Sequence, residues 1–155
     1  MKIVYLHGLE SKTNCAKVKF LREMGHTVYN PGIDYRNLNS DQFESIYSAI
    51  KTFNPNLVIG SSMGGYFAYN VGKRFGIQVL LLNPALHSRG FDPEISTHDG
   101  IIPRATVLLG ENDDIINPED TIEMIKSDRD ILSHEIIIKS HGHRTPVSAI
   151  DSIFN

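Results

Sequence analysis

The residue types best suited to chemistry begin with Ser62, in Gly60-x-Ser62-x-Gly64 directly after the apolar run Leu57-Val58-Ile59. A serine hydroxyl attacks a carbonyl carbon only beside a base, and the base in turn needs a carboxylate to hold its tautomer. A short apolar strand, G-x-S-x-G and a following helix describe a turn that lifts such a serine clear of a sheet. The spacing has a steric cause. The serine at the tip occupies a sparsely populated backbone region, and strand and helix close around it. Only Gly60 and Gly64 are small enough for the positions two before and two after. The helix N-terminus then favours negative charge developing at the tip. A Gly/Ser turn that merely joins a strand to a helix would look the same locally, so the partners must be sought elsewhere in the chain.

They occur where a serine would need them. Asp113 lies in Gly110-Glu111-Asn112-Asp113-Asp114, and His143 in Ser140-His141-Gly142-His143, each after an apolar strand-like run. The order Ser62, Asp113, His143 is that of an α/β-hydrolase. Asp114 and, more remotely, Asp99 are the alternative acids; the apolar pair Ile115-Ile116 and Pro118 after Gly110-x-x-Asp113 favour Asp113. His141 is the alternative base, but Gly142-His143 sits further along the loop, where it can reach back to Ser62, and we read His141 as a rim residue. The backbone amides of Met63, after the nucleophile, and Leu9, after His7-Gly8, are the expected oxyanion hole. His7 itself is expected to brace that loop through hydrogen bonds.

The intervening chain alternates strand and helix signals. Lys2 to Leu6 reads as a strand, about Asn14 to Met24 as a helix, and His26 to Tyr29 as a short strand. Ser40-Asp41 is expected to cap a helix over about Gln42 to Phe53, with Phe43, Ile46, Tyr47 and Ile50 at helical spacing. The central strand and the helix from Tyr66 follow, then Val79 to Leu82, and a loop or short helix over His87 to Pro103. Thr106 to Leu109, a helix from Pro118 to Ile125, Glu135 to Ile138 and a helix over 146–154 complete the chain. Apolar strands without alternation point to a parallel sheet covered on both faces. The expectation is α/β: a minimal α/β-hydrolase with a largely parallel sheet of about six strands, helices on both faces and no cap domain, residues 1–155 forming one domain. Ligands bind such sheets beyond the carboxyl ends of the strands, where His7, Ser62, Asp113 and His143 all fall.

Composition narrows the function. The 155 residues are 41% hydrophobic and 21% charged, with net charge −3 and one cysteine. No basic cluster suggests nucleic acid, and no apolar run reaches membrane-spanning length. A single cysteine, Cys15, and the absence of a secretory h-region lead us to expect a cytoplasmic protein of undetermined oligomeric state. His141-x-His143 lacks an acidic ligand at helical spacing, so no metal is expected. The elbow lacks the Gly-Lys-Ser/Thr of a phosphate loop, and no cofactor is expected.

With these residues in view, the chain resembles the YqiA-like family of small bacterial esterases. Tyr5-Leu6-His7-Gly8 with Ser11 and Lys17, the run Gly60 to Tyr66, Leu82-Asn83-Pro84-Ala85, the Asp113 turn and His143 carry the likeness. It implies hydrolysis of short-chain carboxylic esters through a Ser62, Asp113, His143 triad, with a small-molecule ester or thioester as substrate. Glu10, after the His-Gly turn, and Ser140-His141-Gly142, before the histidine, depart from the family pattern. A thioesterase or acyltransferase using the same triad, and a non-catalytic binding module of the same fold, are the alternatives.

Overall fold

In a computed structural model, residues 1–90 and 99–155 are described. The middle of the expected loop over His87 to Pro103 therefore lies outside the described residues. The strands are β1 (Lys2–Leu6), β2 (Thr27–Tyr29), β3 (Leu57–Ser61), β4 (Val79–Leu82), β5 (Ala105–Gly110) and β6 (His134–Lys139). The helices are α1 (Ala16–Glu23), α2 (Ser40–Phe53), α3 (Met63–Phe75), α4 (Pro118–Ser127) and α5 (Val147–Phe154). All six strands join one sheet, in the order β2-β1-β3-β4-β5-β6, and every pairing is parallel. Among the described residues no helix is long and apolar enough to cross a membrane.

The unbroken apolar strands are explained by the two faces they serve. Val4, Leu6, Val58, Val79, Leu81, Val107 and Leu109 point into one core, with Phe43 and Tyr47 of α2, Phe67 and Val71 of α3 and Ile125 of α4. Ile3, Tyr5, Ile59, Leu80, Leu82 and Leu108 point into the other, with Val18 and Leu21 of α1 and Ala149 and Ile150 of α5. Period-two alternation survives, but both of its phases are apolar because both faces are buried.

The helices start and stop for local reasons. The cap of α2 is Asn39 rather than Ser40-Asp41. Asn39 Oδ1 accepts the Gln42 N–H and Gln42 Oε1 accepts the Asn39 N–H, both at 2.9 Å, a reciprocal capping box. Pro118 opens α4 behind Asn117, whose side chain accepts the Glu119 N–H. α3 begins at Met63, three residues before the expected start, because Ser62 turns the chain into the helix at once. Phe67 then fixes α3 over the sheet: Tyr35, Phe43 and Tyr47 meet its ring edge-on at centroid distances of 6.4, 5.1 and 5.3 Å.

Candidate active site

The strand ends carry the site. β1 leads into His7, β3 into Ser62, β4 into Asn83, β5 into the Asp113 turn and β6 into the His143 loop. Ser62 has φ 53° and ψ −117°, a strained conformation for a residue with a Cβ. It is held from several sides. Its N–H donates to the Leu82 carbonyl at 3.0 Å, and its own carbonyl accepts from Gly65, Tyr66 and Ala85 at 2.9, 3.2 and 3.0 Å.

The glycines around it are required by contact. A Cβ on Gly60 would lie 2.1 Å from the Gly64 carbonyl oxygen, and one on Gly64 would lie 2.1 Å from the Leu6 carbonyl oxygen. Gly60 thus lets the first turn of α3 fold back on β3, whereas Gly64 lets α3 approach the end of β1. The sequence reading assigned Gly65 no such task, yet its Cβ would meet Pro84 at 2.7 Å.

Ser62 Oγ lies 2.9 Å from His143 Nε2, and His143 Nδ1 lies 2.8 Å from Asp113 Oδ2. The Asp113 side chain is 1% exposed and that of His143 17%. Asp113 Oδ1 accepts the N–H groups of Ile115 and Ile116, each at 2.9 Å. The carboxylate is therefore fixed by two amides on one oxygen and the imidazole on the other. This arrangement puts the proton of His143 on Nδ1 and leaves Nε2 to accept from the serine hydroxyl. Asp114 and Asp99 are exposed, and neither joins this chain of hydrogen bonds. His141 is half-buried: its Nδ1 lies 2.7 Å from the Gly142 carbonyl oxygen, and its ring sits against Gly110.

His7, 5% exposed, accepts the Ile33 N–H at Nε2 (3.0 Å) and donates from Nδ1 to the Gly8 carbonyl at 2.7 Å. Its own carbonyl accepts the Tyr35 hydroxyl at 2.8 Å. Burial holds that phenol far above its ordinary pKa, so it stays a donor. A Cβ on Gly8 would lie 3.4 Å from Ser62 Cβ, which sets the Gly8-Leu9 segment beside the serine. Among the described residues the amides of Leu9 and Met63 have no hydrogen-bond acceptor.

Asn83 is the organising residue that sequence reasoning missed. It is 1% exposed, at φ 42°. Its Oδ1 accepts the Gly110 N–H at 2.7 Å, and its Nδ2 donates to the carbonyls of His143 and Gly142 at 2.7 and 3.2 Å and to Thr145 Oγ1 at 3.3 Å. One side chain therefore ties the end of β4 to the end of β5 and to the loop bearing His143. The available signal was an amide side chain closing a wholly apolar strand, just before Pro84.

A parallel sheet with these strand ends, the elbow at Ser62 and the order Ser62, Asp113, His143 define a protein of the α/β-hydrolase fold. The same fold is found in alpha/beta hydrolase domain-containing protein 10 from mouse, with TM-score 0.70 and 16% identity over 99% of this chain and 89% of that one. Est1E from Butyrivibrio proteoclasticus gives TM-score 0.72 and 12% identity over 98% and 84%, and the esterase domain of a Rhodothermus marinus protein 0.68 and 14% over 98% and 81%. No curated protein matches the chain significantly. Residues 2–100 match the Uncharacterised protein family (UPF0227), and the chain belongs to that family, the YqiA-like group named above.

Proposed function

We propose that the protein is a serine hydrolase that cleaves carboxylic esters through an acyl-enzyme intermediate. The observation that carries this reading is the unbroken chain Ser62 Oγ, His143, Asp113, at 2.9 and 2.8 Å, on a serine held at φ 53°. Ser62 Oγ attacks the acyl carbonyl while His143 Nε2 takes its proton, and Asp113 stabilises the imidazolium through Nδ1. The amides of Leu9 and Met63 receive the oxyanion. His143 returns the proton to the leaving alcohol, then activates water for deacylation. The Rhodothermus domain, named as an esterase domain, supports the reaction class by analogy of fold.

Among the described residues every helix and strand belongs to the sheet or the layers on its faces and none stands over the strand ends as a lid, which supports a preference for small acyl groups. Turnover of long-chain but not short-chain esters would refute that part. An ester and thioester series with added alcohol or thiol acceptors separates hydrolysis from acyl transfer by product. The direct test is fluorophosphonate labelling read by intact and peptide mass. A single adduct on Ser62, absent in Ser62→Ala, is the expected result. A folded protein that takes no label would favour a non-catalytic binding module.

A further inference from the structure

Among the described residues β6 ends the sheet and pairs only with β5. The direction of its backbone groups follows from the bonds at its two ends. The Ala105 N–H donates to the Ser133 carbonyl and the Glu111 N–H to the Lys139 carbonyl, both at 2.9 Å. In a parallel ladder alternate residues serve one neighbour, so odd-numbered residues of this strand face β5. His134, Ile136 and Ile138 therefore turn their N–H and C=O groups outward. The opposite edge, β2, is a three-residue strand, whereas β6 has six residues and neither Pro nor Gly. Its Ile138 is 51% exposed. A long apolar edge of this kind is a template for another strand.

We propose that β6 pairs antiparallel with β6 of a second copy of this chain, about a twofold axis at Ile137. Only registers that set outward residues opposite outward residues form bonds, and those keeping most of the strand paired are centred on Ile136 or on Ile137. Centring on Ile136 places Glu135 opposite Ile137 and His134 opposite Ile138. Centring on Ile137 places Glu135 of each copy opposite Lys139 of the other, both exposed side chains, and Ile137 opposite itself. In that register Ile136 and Ile138 of opposite copies exchange their N–H···O bonds, and the exposed Ile138 is covered by Ile136. Two opposite-charge pairs and an apolar centre select this register. The interface is isologous and closes at two copies. Because the strands run antiparallel, the carboxyl ends of the two sheets point in opposite directions, so both Ser62 sites stay open.

Sedimentation equilibrium of the full chain from low micromolar to near-millimolar concentration tests this. The mass should climb from 17.4 kDa toward twice that value. Ile138→Pro removes an outward N–H and no bond to β5, so it should give monomer with its fold intact by circular dichroism. Lys139→Glu, which sets like charges opposite each other twice, should weaken dimerisation about tenfold. Glu135→Lys combined with Lys139→Glu should restore it, and these exposed positions keep the test independent of the proline variant. A wild type that stays at 17.4 kDa throughout, or a dimer indifferent to Ile138→Pro and to the charge exchange, would overturn the proposal.

Discussion

Replacing Asn83 by Ala tests whether His143, the proposed catalytic base, is positioned from beneath. The change strands two buried partners, the Gly110 N–H and the His143 carbonyl, each 2.7 Å from the amide it loses. A buried group left unpaired costs about 1–3 kcal/mol. Alanine at φ 42° adds about 1 kcal/mol, because only Gly and Asn tolerate the left-handed region well. With two such groups the sum is about 5 kcal/mol, which for a domain of this size lowers the melting temperature by about 15 °C. The kinetic effect arises separately. A drift of about 1 Å in the His143 loop, which Asn83 pins through two carbonyls, costs on the order of 100-fold in rate. Among the described residues the Asn83 side chain bonds to Gly110, Gly142, His143 and Thr145 and not to Ser62, so kcat on a small ester should fall while KM holds. Asn83→Asp is the sharper comparison. It keeps an oxygen for Gly110 but aims a second oxygen at the carbonyls of Gly142 and His143, so it should lose kcat as the alanine variant does. Steady-state kinetics and calorimetry on both variants decide the matter. A wild-type kcat in Asn83→Ala, with an unchanged melting temperature, would refute the account.

Further outcomes follow from the same geometry. Asp113→Asn keeps the acceptor for Ile115 and Ile116 but presents an NH2 to His143 Nδ1; the wrong tautomer results, and kcat should drop on the order of 10,000-fold with KM preserved. Gly60→Ala puts a methyl 2.1 Å from the Gly64 carbonyl oxygen and should leave little folded protein by calorimetry, whereas Gly25→Ala, with nothing within 4 Å among the described residues but at φ 83°, should cost only about 1–2 kcal/mol. Asp128 is partly desolvated, which works against its charge, but bonds from the Tyr69 hydroxyl and the Asp130 N–H and the nearby Lys73 ammonium hold its pKa below the ordinary carboxylate range. A depressed folded-state pKa contributes stability that is complete above the unfolded value and is lost as pH falls through the folded one. Asp128→Asn should therefore flatten the acid limb of a denaturation midpoint measured against pH below about 5.

What could be read from the sequence is what neighbouring residues determine. The parallel α/β architecture followed from apolar strands alternating with periodic helices, and the strand at Val79–Leu82 has the bounds expected for it. The elbow was legible because Gly60, Ser62 and Gly64 are close in the chain and their spacing has a steric cause. The helix after it began early because a positive φ at Ser62 is a three-dimensional fact that pattern reading places only to within a turn. The role of Gly65 was hidden because its neighbour, Pro84, is distant in sequence. Asn83 was hidden for the same reason. Its partners lie at Gly110, Gly142, His143 and Thr145, and nothing local distinguishes it from an asparagine in a turn.

Three non-glycine residues among the described ones have positive φ; Asn54 caps the end of α2, and the other two stand together. Ser62 and Asn83, at φ 53° and 42°, stand at the ends of β3 and β4, neighbouring strands in the middle of the sheet and buried on both faces. An L residue in that region costs about 1–2 kcal/mol and persists only where its surroundings over-determine it. Both positions meet that condition: the Ser62 carbonyl accepts three amides, and the Asn83 side chain reaches four groups. The two ends are also joined, since Ser62 N–H bonds to Leu82, the residue before Asn83. The central strands thus hold the strained serine and the anchor of the proposed base, while Asp113 and His143, the proposed acid and base, stand on ordinary turns after β5 and β6. In such an arrangement, changes along the outer edge of β6 should leave Ser62 in place, because the parts that fix it lie two strands away.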